Sequence, residues 1–111
     1  MLINGVKLDI DFTDADTLEK IEKGSKLVYD EAEKLKDATL SPAEGIRQEC
    51  KILKDFLDYV LGEGTSEKLF GNRNSLKECL NAYEDIVNAR QTQINEFQAK
   101  ISKYSPDRIK R

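Results

Sequence analysis

Leu80, Tyr83, Val87, Arg90, Ile94, Phe97, Ile101 and Tyr104 follow one another at alternating spacings of three and four. Only a helix gathers such positions into one stripe, and this run, broken by Arg90 alone, is the most regular in the chain. Ser75 and Glu78 ahead of it form a capping box, with Asn74 as an alternative cap, and Ser105-Pro106 stops it. The helix so defined, residues 75–104, is about 45 Å long at 1.5 Å per residue, more than the core of a small domain covers. Its half beyond Arg90 is therefore expected to meet another protein surface, with Ile94, Phe97, Ile101 and Tyr104 as the protein-binding strip.

Two further helices precede it. Asp14 or Asp16 caps the first, residues 14–37, whose Leu18, Ile21, Ser25, Val28, Ala32 and Leu35 form another heptad seam. Gly24 lies in its middle and lowers its intrinsic helix stability by about 1 kcal/mol relative to Ala, so packing must hold it. Ser41-Pro42-Ala43-Glu44 opens the second, residues 41–62: serine caps, proline fits the first turn, and glutamate closes the box. Ile46, Cys50, Leu53, Leu57 and Val60 make its inward stripe, and Ile52, Phe56 and Tyr59 broaden it enough for contact on two sides. Gly62 ends it, and residues 63–70 read as an anchored connection with one helical turn that tucks Leu69 and Phe70 inward.

At the start of the chain the period changes to two. Val6, Leu8, Ile10 and Phe12 alternate with Lys7, Asp9 and Asp11, as in a strand with one apolar face, and Asn4-Gly5 offers a turn back to Met1-Leu2-Ile3. No other segment reads as a strand, so residues 1–13 form a strand or tiny hairpin whose edge is covered by a helix or loop or pairs with another copy. Val6, Leu8, Ile10 and Phe12 are accordingly the self-association candidates. The fold expected is a mainly α single domain over 1–111: a three-helix bundle with a short N-terminal β-strand or hairpin and a long C-terminal helix.

The 111 residues carry 21 acids and 18 bases, mixed along nearly every segment as on solvated helix faces. Residues 1–67 hold 16 acids and 9 bases, a net of −7, and residues 68–111 hold 5 and 9, a net of +4. Such polarity favours head-to-tail contacts between copies or a basic partner surface, within the reach that screening allows. Nucleic-acid binding is not indicated, the basic ending Asp107-Arg108-Ile109-Lys110-Arg111 reading as a frayed terminus. No stretch approaches the run of about 20 apolar residues that spans a bilayer, and the start lacks a basic region followed by an apolar one, so neither membrane insertion nor secretion is expected. Cys50 and Cys79 fall within apolar helical patterns as inert reduced thiols, which suits the cytoplasm.

Chemistry finds little footing. The chain has no histidine, hence no ordinary general base near neutral pH and no Ser–His or Cys–His pair. Asp9, Asp11, Asp14 and Asp16 suggest a calcium loop, but Asp16 stands where glycine is required and Ala15 where an oxygen ligand is required. Strand solvation and helix capping account for the four acids. Gly62-Glu63-Gly64 resembles the opening of a dinucleotide loop, yet Glu67 occupies the third glycine's place and a helix, not a strand, precedes it. No enzyme activity, metal or cofactor is expected.

The Asn4-Gly5 turn, the segment Asp11-Phe12-Thr13-Asp14-Ala15-Asp16-Thr17, the stretch Leu61-Gly62-Glu63-Gly64-Thr65-Ser66-Glu67-Lys68-Leu69-Phe70-Gly71, and then Cys79 and Ala82-Tyr83 together resemble a family of small phage and prophage proteins. These are the tail assembly chaperone-like proteins of siphophages that infect Firmicutes. The resemblance covers most of the chain and is sharpest in the eleven-residue loop. It implies a noncatalytic helper in the host cytoplasm that keeps a long, apolar tape measure protein soluble and brings tail tube subunits to it. No catalytic or ligand residues come with it. The alternative is a structural virion or head–tail component forming a homo-oligomeric ring.

Overall fold

The computed structural model describes residues 2–104. Met1, the Ser105-Pro106 stop and the basic ending 107–111 lie outside the described residues. The protein is mainly helical, with a short antiparallel hairpin at its N-terminal end and a long C-terminal helix.

The hairpin pairs β1 (Leu2–Ile3) with β2 (Val6–Lys7), Leu2 opposite Lys7 and Ile3 opposite Val6. Asn4 and Gly5 turn between them with φ of 49° and 81°, the left-handed pair that a tight hairpin turn demands. The Asn4 amide also donates to the Leu69 carbonyl at 2.6 Å, tying the turn to the distant loop.

Each long helix begins at a side-chain cap. Asp14 Oδ2 accepts from the Thr17 N–H and hydroxyl at the start of α1 (Ala15–Lys36). Ser41 Oγ accepts the Glu44 N–H at 3.2 Å to open α2 (Pro42–Leu61), with Pro42 in the first turn. The α3 turn (Thr65–Phe70) is anchored by Asp58, whose carboxylate accepts the Ser66 N–H at 2.8 Å and its hydroxyl at 2.9 Å. Ser75 Oγ accepts the Glu78 N–H at 3.3 Å to begin α4 (Leu76–Ser102), while the Glu78 carboxylate binds Arg73.

The central helix is α2: α1, α3 and α4 each pack on it, and α1 and α4 share no comparable interface. The core gathers Ile3, Phe12 and Ile21 with Cys50, Leu53, Phe56, Leu57 and Val60 of α2. Leu69 and Phe70 from α3, and Cys79, Ala82 and Ile86 from α4, complete it. This core occupies only part of the length. Among the described residues, none between Ser25 and Glu49 and none after Ile86 is fully buried. The radius of gyration, 17.2 Å, exceeds the about 13 Å of a compact domain of this size, and the principal extents are 62 × 30 × 21 Å.

Two details differ from the sequence expectation. The segment Val6–Phe12 is not one strand: pairing stops at Lys7, and the backbone beyond bonds to a side chain instead. The Gln93 amide accepts the Phe12 N–H and donates to the Ile10 carbonyl, both at 2.8 Å. Second, α4 turns a different row inward from the one its spacing singles out. Cys79, Ala82 and Ile86 enter the core, whereas Leu80 and Val87 face outward.

Candidate functional site

Among the described residues two accessible apolar surfaces stand out. One lies between α1 and α2, joined by the corner at Asp37–Leu40. Gly24 sets their approach: a Cβ there would stand 2.9 Å from Phe56 Cδ1 and 3.3 Å from Tyr59 Cδ2. The glycine that weakens the isolated helix is thus required by packing. Beside this contact a groove of about 490 Å³ opens, floored by Leu27, Val28, Leu35, Ile52, Phe56 and Tyr59. Leu27 and Tyr59 remain more exposed than buried partners such as Phe56. Its rims are charged but internally balanced, Lys34 pairing with Glu31 at 3.2 Å and Lys51 with Asp55 at 2.9 Å. The Asp55 hydrogen bond raises the Lys51 pKa. Such a groove can accept apolar side chains from one face of a helix without stranding a charge.

The other surface is α4. Leu80, Val87, Phe97, Ile101 and Tyr104 are 43, 46, 48, 52 and 79 % exposed, and Ile94 is half-buried. From Asn95 to Tyr104 every residue is exposed, so the overhang begins one turn later than Arg90. Of the four residues expected to bind protein, Phe97, Ile101 and Tyr104 lie on this stretch, and half-buried Ile94 just precedes it.

The four residues expected to mediate self-association do not form a free edge. Phe12 is fully enclosed, and Val6, Leu8 and Ile10 pack, partly buried, against the core. The alternation identified the inward side correctly, but that side faces the chain's own core, and the Gln93 amide occupies the backbone that a strand from another copy would need at Ile10 and Phe12. The aspartates nearby serve local structure. Asp11 Oδ1 accepts from the Thr13 hydroxyl and N–H, which lowers its pKa, and Asp14 caps α1.

Cys50 and Cys79 meet across α2 and α4 as free, fully enclosed thiols. Burial pushes the Cys79 thiol up to about 12, and its hydrogen bond with Cys50 adds to the rise. A thiol held this firmly in the protonated form, as Cys79 is, is a poor nucleophile. Among the described residues no three Cys, Asp or Glu side chains are grouped to hold a metal ion, and no helix is long and apolar enough to cross a membrane.

Sequence reasoning missed the groove. Its floor on α2, Ile52, Phe56 and Tyr59, was legible as an over-wide apolar face, but Leu27 lies off the α1 heptad seam.

A family model described as a family of unknown function (DUF6673) matches residues 4–111. The chain belongs to DUF6673. No curated protein and no solved structure matches it. The DUF6673 match takes in the hairpin turn, the α1–α2 groove and the overhanging part of α4 alike.

Proposed function

We propose that this DUF6673 protein is a noncatalytic assembly chaperone of the phage tail-assembly kind, and that its α1–α2 groove holds an apolar helical segment of a client. The groove carries this reading. It offers aliphatic and aromatic floor with neutralised rims, which suits anchors spaced i, i+3 or i+4, and i+7 on a client helix. The resemblance in Leu61–Gly71 supplies the client class, a tape measure protein rich in apolar helix, and the setting, the cytoplasm of the host. With a groove that is open along its side, clients can be released without covalent chemistry or a nucleotide.

The test is titration of labelled helical fragments of a tape measure protein, read by fluorescence anisotropy, alongside an assay of their solubility. The protein should bind and keep the fragments in solution, and Leu27→Glu with Leu35→Glu should weaken binding at least about tenfold, the loss of about 1.4 kcal/mol. Absence of binding by the unaltered protein, or equal binding by the variants, refutes the reading. Many copies in purified particles, seen by mass spectrometry, would instead favour a structural virion subunit.

A further inference from the structure

The groove between α1 and α2 is bordered by Glu31 and Lys34 from one helix and by Lys51 and Asp55 from the other. The two helices run antiparallel from the Gly24 contact with Phe56 and Tyr59 to the corner at residues 37–40. Glu31 stands seven residues beyond Gly24 toward that corner, and Lys51 stands five before Phe56 and eight before Tyr59. At 1.5 Å per residue both lie about 10 Å from the contact, so Glu31 and Lys51 face each other at one level of the groove. Each nevertheless bonds along its own helix, Lys51 to Asp55 at 2.9 Å and Glu31 to Lys34 at 3.2 Å. Asp55 is the main cause of the raised Lys51 pKa, and the charge of Glu31 across the groove adds to it.

We propose that this rim is a strap: Lys51 exchanges Asp55 for Glu31 on the facing helix and so closes the groove, the arrangement with both pairs along their own helices being the open one. The exchange is nearly even. The four side chains are 50–73 % exposed, so either partnership stands in water, where an ion pair shifts an equilibrium by no more than about fivefold. Packed helices stand about 8–10 Å apart, a gap that a lysine and a glutamate extended toward each other close. The Glu31 carboxylate has two oxygens and keeps Lys34 while it takes Lys51. Asp55 alone gives up its partner, and at 64 % exposure water replaces it.

The apolar floor gives closure its use. With Lys51 turned to Glu31, its aliphatic stem lies across the floor between Ile52 and Val28 while the ammonium stays in water. Entry of a client helix returns Lys51 to Asp55, and no charge is stranded. This consequence, a groove covered when empty and open when filled, rests on the client reading proposed above; the strap itself is testable without a client.

Carbodiimide treatment of the full chain joins a carboxylate to an amine where the two touch. Without client, proteolysis and mass spectrometry should find a Glu31–Lys51 amide beside the Lys51–Asp55 and Lys34–Glu31 amides. Its yield should rise in Asp55→Asn and fall in about 1 M salt. Anisotropy titration of the tape measure fragments is the second measurement. With open and closed forms about equally populated, Asp55→Asn should weaken binding about threefold and Glu31→Gln should tighten it about twofold. Both variants remove one negative charge from the rim, so a general charge effect moves them the same way and the strap moves them oppositely. Glu31→Lys with Lys51→Glu keeps the attraction across the groove, sets like charges beside Lys34 and Asp55, and should also weaken binding. Absence of the Glu31–Lys51 amide overturns the proposal, the Lys51–Asp55 amide serving as internal control. So do shifts of the same sign, or none, in Asp55→Asn and Glu31→Gln. If the unaltered protein binds no fragment, the client reading fails and the amide yields alone decide the strap.

Discussion

The α1–α2 arm and the free side of α4 both expose aliphatic side chains outside the core, yet they are kept in water by different means. On the arm, ion pairs within each helix surround the apolar residues: Glu31 with Lys34, Glu33 with Lys36, Glu44 with Arg47 and Lys51 with Asp55. Among the described residues no ion pair forms on α4 beyond Glu78. One side of its aliphatic row is bordered by Asn81, Asn88, Gln91, Asn95 and Gln98, which stay neutral at every pH and shed hydration at lower cost than charges do, and the other by Tyr83, Arg90, Phe97 and Tyr104. The arm thus keeps ion pairs around its groove, whereas α4 exposes its aliphatic row with few charges beside it.

The largest effect that tests this contrast is at the pivot of the arm. Gly24→Val should lower stability by about 3 kcal/mol, because Phe56, fixed against the Tyr83 ring at a centroid distance of 5.0 Å, cannot retreat from a branched side chain. The urea midpoint reads the loss, and an unchanged midpoint would show that the arm is not held through this contact. Next comes the place where α4 leaves the core. Gln93→Leu strands the Phe12 N–H and the Ile10 carbonyl and should cost about 2 kcal/mol in the same assay, whereas Gln91→Leu, bonded only to Asn95, should cost little.

Alkaline pH gives an effect that is absent near neutrality and grows with pH. The folded protein holds the Cys79 proton up to about 12, against an ordinary 9.0, so unfolding releases it more easily. Stability from this source is complete below pH 9 and falls as pH rises toward 12. Cys79→Ala should flatten that part of the stability profile, and an unaltered slope would point to other groups. The smallest effect is that of salt. Raising it from 0.1 to 1 M shortens the screening length from about 10 to about 3 Å and should loosen the arm by less than about 1 kcal/mol. Hydrogen exchange would show faster amides between residues 26 and 49 and unaltered ones between 80 and 94. Equal acceleration in both regions would erase the contrast.

The helices and their starts were legible because caps are local: Asp14, Ser41 and Ser75 each accept from the N–H three residues ahead. The anchored loop was legible for the same reason, with Leu69 and Phe70 turned inward between two glycines. The phase of α4 was not. Cys79, Ala82 and Ile86 recur with the same helical period as Leu80, Tyr83 and Val87, and period alone does not say which row meets α2. Cys79 and Ala82, small, and Ile86, fully enclosed, are the row that enters the core with Phe56 and Leu57 of α2. Nor could alternation from Val6 to Phe12 reveal that a side-chain amide, not a strand, would complete the backbone bonding of its second half. The groove escaped because it belongs to two helices at once, and each contributes residues outside its own main stripe.

The Gln93 clasp also fixes an order of events. Its partners lie 81 and 83 residues earlier in the chain, and the entropy of closing so long a loop is met only when α4 exists through that position. Before then Phe12 has no pinned backbone, and the hairpin is too short to persist alone. During synthesis the arm, made of neighbours in sequence, can assemble early, while the N-terminal segment is sealed in place last.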